Sequence, residues 1–232
     1  MITVPDTSPE TIAHLTAKAL IDIGAVHVSP SDPFTYTSGL KSPVYVDCRT
    51  IISFPRVRAQ LIGFAVALMA RRMSLEGIDA IAGGETAGIP FAALIAERLA
   101  LPMQYVRKAP KGFGRLAQIE GVLNEGQHVL LVEDLATDGG SKLKFAAALR
   151  DAGATVSDCL VIFHHDVFPA SAARLGAEGL AIHALARWSD VIAHARTAGT
   201  LGAEDLDEVD KFLAAPLAWS AARGGIEALP PA

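Results

Sequence analysis

The sequence predicts an α/β fold, a doubly wound and mostly parallel sheet, and three observations carry that expectation. Short continuous apolar runs, Val129-Leu130-Leu131-Val132 and Cys159-Leu160-Val161-Ile162-Phe163, have the length of strands covered on both faces. Between such runs lie segments of helical period, so strand and helix alternate from about residue 80 to 163. With 51% hydrophobic and 19% charged residues, the 232-residue chain also has the apolar material for a sizeable core.

Taken in order, Ser8-Pro9-Glu10 sets an N-cap and a first-turn proline ahead of Ile12, Leu15, Ala19, Leu20 and Ile23, which follow a helical period. Phe34 to Thr37 and Val44 to Cys48 are short β-rich runs around the turn-forming Ser38-Gly39, and predict a hairpin-like element. Pro55 opens a second helix reaching about Met73. The alternation then predicts strand Ala80 to Ala82, helix Ile89 to Leu99, strands Gln104 to Val106 and Val129 to Val132, helix Ser141 to Ala152 and strand Cys159 to Phe163. Residues 203–214 read as an acidic surface helix and 216–232 as an Ala/Gly/Pro-rich tail. No linker divides the chain, so residues 1–232 are expected to form one domain, with a small N-terminal element to about residue 54 and a helical tail from about 203.

Several function classes are disfavoured. The start MITVPDTSPE lacks the basic and apolar stretches of a secretory signal, and the longest apolar runs, such as Gly63 to Ala70, are too short for a membrane span. A cytosolic protein without membrane association is expected. Cys48 and Cys159 are far apart and form no CxxC pattern, so both read as buried thiols. A formal net charge of -5 argues against nucleic acid as a partner. Against that acidic background, Arg107, Lys108, Lys111 and Arg115 occur with no acidic residue before Glu120, and mark where an anion would be met.

In doubly wound sheets ligands bind beyond the carboxyl ends of the strands. That directs attention to the segments Gly83 to Gly88, Arg107 to Gly121, Glu133 to Gly140 and His164 to Pro169. In VLLVEDLATDGGSK, residues 129–142, a buried strand runs into two acids, then Thr137, two glycines and Ser141 at a helix start. Gly139 and Gly140 permit tight backbone geometry, and amides at a helix N-terminus point outward to receive a phosphate. Thr137 and Ser141 add hydroxyl donors, while the carboxylates of Glu133 and Asp134 can accept hydrogen bonds from vicinal sugar hydroxyls. Acids beside an anion cradle describe a sugar phosphate. Neither GxxxxGK[ST] nor GxGxxG is present.

This segment resembles the signature loop of the type I phosphoribosyltransferases: apolar residues, two acids, two mostly apolar residues, then Thr and a Gly-rich turn. FTYTSGLKSPVYVDCR at 34–49, GGETAGIPFAALIAERLALPMQYVRK at 83–108 and KGFGRLAQIEG at 111–121 narrow the likeness to the orotate phosphoribosyltransferases. The resemblance covers most of residues 10–170. It implies the type I fold with a small N-terminal hood, and transfer of phosphoribosyl from 5-phosphoribosyl 1-diphosphate to orotate with Mg2+. The ion would be held through substrate and water, with no direct protein ligand.

By that resemblance the sugar diphosphate would be held by Arg107, Lys108, Lys111, Glu133, Asp134, Leu135, Ala136, Thr137, Asp138, Gly139, Gly140 and Ser141. Lys111, Arg107 and Asp134 would be catalytic, and orotate would meet Thr37, Tyr45, Val46, Thr137 and His165. Cations around a leaving diphosphate stabilise the charge that develops on it. Pro110 to Gln118 would form a lid acting across the interface of a homodimer.

The chain also departs from the common pattern. Phe113 stands where many members have a lid His, Thr37 and Ala87 where bacterial members often have Lys, and His165 where an Arg recognises the orotate carboxylate. Histidine replaces that forked donor only in part, and adjacent strand residues face opposite ways, so His164 and His165 should not share a pocket. Asp138 should turn its carboxylate away from the cradle, while for Glu85 two roles stay open, a cap on the following helix, which is slightly favoured, and the orientation of magnesium waters or of the diphosphate region. Two other readings stay open: a phosphoribosyltransferase for another base, and a regulator that senses the sugar diphosphate without catalysis.

Overall fold

The computed structural model describes residues 7–112, 114 and 117–229. Phe113 and Arg115, which the sequence places in the lid, lie outside the described residues. The chain opens with helix α1 (Pro9–Asp22), where Ser8 accepts the Thr11 amide as the cap residue expected of it. Four short strands follow: β1 (Val26–Val28), β2 (Phe34–Thr35), β3 (Lys41–Ser42) and β4 (Val44–Val46). Helix α2 (Pro55–Arg72) leads to β5 (Ala80–Gly84), α3 (Gly88–Leu99), β6 (Met103–Val106), β7 (Ile119–Glu120) and β8 (Val129–Ala136). The remainder is α4 (Gly140–Asp151), β9 (Asp158–His164), α5 (Pro169–Ala177), β10 (Ala181–Arg187), α6 (Trp188–Ala198), α7 (Ala203–Ala214) and α8 (Pro216–Ala221).

Six strands form one sheet in the order β10-β9-β8-β5-β6-β7, parallel except for the last pairing. Both faces are covered, as alternation along the central strands shows. Leu130, Val132, Leu160 and Ile162 join one apolar cluster with α1, α2, α3 and α6, whereas Val129, Leu131, Cys159 and Val161 join another with α4 and α5. The connection after β5 runs to one side, to β6, and the connection after β8 runs to the other, to β9. A crevice therefore opens between the ends of β5 and β8, where such folds bind ligands.

Two expectations need correcting. The predicted hairpin pairs Phe34 with Ser42 and Thr35 with Lys41, but Val44–Val46 turns away and pairs with Val26–Val28. Pro43 cannot donate a ladder bond, and the chain changes partner at that point. Strand β8 is longer than its apolar run and carries Glu133, Asp134, Leu135 and Ala136, so the turn into α4 starts at Thr137. The acidic helix read at 203–214 is present as α7 and packs through a buried face of Leu206, Val209 and Phe212, and the tail beyond it carries α8. Trp219 of α8 donates to Glu208 at 2.8 Å, and Arg223 lies over its ring at 3.7 Å. Ser220 accepts the Lys41 amide at 3.1 Å and Ile226 donates to the Gly39 carbonyl, so this segment braces the β2–β3 turn.

Candidate active site

The ends of β5, β6, β8 and β9 and the N-terminal strands enclose a cleft of about 1090 Å³. Of the residues singled out in the sequence, Thr37, Tyr45, Val46, Lys108, Glu133, Asp134, Leu135, Thr137, Ser141 and His165 line it. Arg107, Lys111, Ala136, Asp138, Gly139 and Gly140 are not part of that lining. Ala136 is fully buried beneath the floor.

The floor is the strand-to-helix turn. Gly139 adopts φ 78°, a left-handed conformation, and a Cβ there would strike Leu175. Asp138 turns outward: Arg174 of α5 donates to its carboxylate at 3.2 Å and to its carbonyl at 2.6 Å. Its other oxygen lies 3.4 Å from the Gly140 amide, so the acid stands over the start of α4 and away from the cleft. Thr137 and Ser141 keep their hydroxyls on the lining.

Glu133 and Asp134 leave β8 in different surroundings. Glu133 is buried, with Oε2 2.7 Å from the Nζ of Lys142, which also donates to Ser141 Oγ at 3.1 Å. Its Oε1 has no partner among the described residues and lies where a Cβ on Gly84 or Gly88 would fall, so those two positions must be glycine. Burial raises the Glu133 pKa, against the pull of Lys142. Burial also opposes the Lys142 ammonium, yet the Glu133 carboxylate outweighs it and holds Lys142 above the ordinary lysine value. At 2.7 Å the two groups form a buried ion pair, and removing one alone would strand a buried charge at about 3–5 kcal/mol. Burial likewise raises Asp134, while Lys142 and the Leu135 amide, which Asp134 accepts at 2.8 Å, pull the other way.

Glu85 does not cap α3. Its carboxylate accepts the Lys108 amide at 2.7 Å and ties the loop after β5 to the loop after β6, so Lys108 stands on the cleft wall. From Lys108 the chain folds back on itself. The Arg107 amide donates to Gln118, the Lys111 amide to Ala117, and Arg107 pairs with Glu120 at 3.5 Å, which holds both cations on an arm outside the cleft of their own chain.

The opposite wall is aromatic: His27, Phe34, Tyr36 and Tyr45 lie with ring centroids 5.7–6.4 Å apart. His165 closes its end, 5.9 Å from Tyr36, and accepts the Trp188 indole N–H at Nδ1 across 3.1 Å. Burial, with His164 and Lys142 adding to it, pushes its pKa down to about 3, so the ring is neutral and presents one N–H. His164 is absent from the lining, as strand alternation requires.

Residues 57–167 match the phosphoribosyl transferase domain family. Over 222 residues the chain is 55% identical to the orotate phosphoribosyltransferase of Cereibacter sphaeroides, covering 95% of this chain and 96% of that one. The chain belongs to the orotate phosphoribosyltransferases. Among solved structures, the orotate phosphoribosyltransferase of Aeropyrum pernix superposes with a TM-score of 0.67 at 30% identity, over 80% of this chain and 99% of that one. Leishmania donovani UMP synthase gives 0.72 at 28% identity, over 86% of this chain and 41% of that one. As an orotate phosphoribosyltransferase the chain is a glycosyltransferase of the pentosyl-transferring class, and its fold is the type I fold.

Set beside that identity, the cleft contains groups that sequence reasoning passed over. Arg49 lies on the lining, held by Asp47 at 2.7 Å and by the Tyr45 hydroxyl at 3.0 Å. It lies in a 3-10 turn, Cys48–Ser53, that Asp47 caps directly after β4, and an arginine in such a turn gave no signal in the sequence. Lys142 gave none, since a lysine in the first turn of a helix reads as solvated. No described helix is long and apolar enough to cross a membrane.

Proposed function

We propose that the chain transfers the 5-phosphoribosyl group of 5-phospho-α-D-ribose 1-diphosphate to orotate, forming orotidine 5'-phosphate and diphosphate on the route to UMP. The supporting observation is the meeting, in one cleft, of Thr137 and Ser141 at the two ends of the strand-to-helix turn, the acids Glu133 and Asp134, and the aromatic wall ending at His165. The turn amides and the two hydroxyls receive the 5-phosphate. The two acids accept hydrogen bonds from the ribose hydroxyls and fix the anomeric carbon. A ring nitrogen of orotate bonds to that carbon as the carbon's bond to diphosphate breaks; the bonding pair leaves with the diphosphate, and the proton the nitrogen carried passes to the diphosphate or to water.

Leaving-group charge falls to cations. Lys108 supplies one from within the chain. Arg107 and Lys111 sit on an arm that leaves their own cleft, a placement that suits delivery to the site of a second copy in a homodimer. The cleft has carboxylates at Glu85, Glu133 and Asp134, hard oxygen donors of the sort Mg2+ prefers. Among the described residues no cluster of three or more such ligands could cage the ion. That donor set fits Mg2+ carried by the diphosphate and reached by protein carboxylates through water. When bound there, it neutralises diphosphate charge.

Orotate bears a carboxylate, and neutral His165 cannot pair with it. The cation on the aromatic wall is Arg49, whose Nη1 makes no hydrogen bond within the cluster that Asp47 and Tyr45 form around it. We assign carboxylate recognition to Arg49, with His165 setting the shape of the base pocket and donating one hydrogen bond. The hood to about residue 54 then serves the base, and the enzyme works in the cytosol with Cys48 and Cys159 as buried thiols. A magnesium-dependent assay with the sugar diphosphate and orotate, uracil, adenine, guanine or hypoxanthine tests the reading. Diphosphate release with orotate alone is expected; release with another base, or donor binding without turnover, overturns it.

A further inference from the structure

We infer that Lys142 is a positioning residue of the donor site, tying the carboxylate that receives the ribose to the hydroxyl that receives the 5-phosphate. The inference rests on the sugar-diphosphate reading above. It starts from geometry: one ammonium donates to Glu133 Oε2 at 2.7 Å and to Ser141 Oγ at 3.1 Å. Lys142 and Glu133 are both buried, and both line the cleft. A buried charge pair of this kind brings no net stability over apolar residues of the same shape, so its presence at a cleft floor calls for another use.

The arrangement gives each end a direction. Glu133 has two oxygens, and Lys142 occupies one. The other, Oε1, has no partner among the described residues, and Gly84 and Gly88 leave room around it because neither carries a Cβ. A buried carboxylate oxygen without a donor, on a group whose other oxygen is paired with an ammonium, is a strong acceptor, and a sugar hydroxyl is the donor the site would bring. At the other end, a Ser141 oxygen that accepts from Lys142 must turn its own proton elsewhere, and the cleft is where Ser141 is lined up. One lysine thus makes a carboxylate present a lone pair and a hydroxyl present a proton, nine and one residues away in the chain. Asp138 cannot do this work, because Arg174 holds it outside the cleft.

The role predicts a selective defect. Ribose 5-phosphate engages both ends of the relay, whereas inorganic diphosphate engages neither. For Lys142→Met, the inhibition constant for ribose 5-phosphate should rise about 10- to 100-fold, the loss of one charge-assisted contact, with that for diphosphate within about twofold. KM for the sugar diphosphate should rise while that for orotate holds. Lys142→Arg, which keeps a donor to both partners, should recover most of the loss. Because Lys142→Met leaves Glu133 unpaired and could unfold the chain, Lys142→Gln, which retains an N–H for Glu133, is the second variant and should show an intermediate defect.

A folded Lys142→Met or Lys142→Gln protein that binds ribose 5-phosphate like the parent overturns the proposal. So does an equal loss for ribose 5-phosphate, diphosphate and orotate, which would mark Lys142 as structural only. Failure of the function reading looks different: the unmodified protein would then show no competition by ribose 5-phosphate at all.

Discussion

The Trp188 indole donates to Nδ1 of His165 across 3.1 Å, and this single bond fixes the tautomer of the histidine that ends the aromatic wall of the cleft. With Nδ1 accepting, the ring proton sits on Nε2. The ring is buried at the end of the cleft, and burial, with His164 and Lys142 adding to it, holds its pKa at about 3 against an ordinary 6.5. The sign follows from linkage: the folded state refuses a proton that the unfolded chain takes up below 6.5, so the stability is whole above 6.5 and declines as pH falls toward 3.

Chemical denaturation measured between pH 7 and 4 should therefore show a loss approaching 1.4 kcal/mol per pH unit below 6.5 from this group. His164 and His194, also held below the ordinary value by burial, add to the slope. His165→Gln, which keeps an acceptor for Trp188 and cannot protonate, should flatten the profile by about one proton. An unchanged slope in that variant would show that His165 is protonated in the folded state.

Arg49 gives the second prediction. Arg49→Ala should raise KM for orotate by about 10- to 100-fold, the range of a charge-assisted hydrogen bond, with the affinity for the sugar diphosphate nearly unchanged. Fold stability should change little, because the side chain is more than half exposed and its partner Asp47 remains hydrated. Steady-state kinetics with each substrate varied in turn separates the two constants, and a defect confined to the sugar diphosphate would count against the assignment.

What the sequence disclosed follows from how local each feature is. Pro9 and Pro55 set helix starts through their own backbone geometry, and the runs at 129–132 and 159–163 announce buried strands without reference to anything else. The β1–β4 pairing could not be seen, because three residues, Val26-His27-Val28, show no pattern until a distant partner covers them. Strand β10, AIHALAR, is half exposed and its alanines fit a helix as well. Glu133, Asp134, Thr137 and Ser141 announced the cleft lining and the donor site proposed there because their chemistry and spacing are local, whereas Lys142 and Arg49 gain their contacts only from side chains that folding brings to them. Asp138 was expected to turn outward, but only the structure shows Arg174, 36 residues on, holding it there.

That clamp is the third prediction. Arg174→Ala frees the Asp138 carboxylate at the edge of the phosphate turn, where it would repel an incoming phosphate. KM for the sugar diphosphate should rise about tenfold, the scale of one like-charge contact near a partly hydrated site. Adding Asp138→Asn in the same chain removes the charge and should restore most of the affinity. If the double variant is no better than Arg174→Ala, the arginine acts through the packing of α5 on Gly139 and not through charge.

The fourth prediction concerns the arm that carries Lys111. Its amide is bonded to Ala117 and its side chain is exposed, so Lys111→Ala should leave stability within about 0.5 kcal/mol of the parent while kcat falls at least 100-fold. If the arm serves a second copy, activity lost in one variant should return in a mixture. Lys111→Ala and Asp134→Asn chains, each inactive alone, would form hybrids in which one of the two sites draws an intact lysine from one copy and an intact aspartate from the other. Unfolding and refolding the two together should recover roughly a quarter of the parent activity by random assortment of subunits. A mixture as inactive as its components would place Lys111 in the cleft of its own chain, and the arm would then have to swing inward on binding the sugar diphosphate.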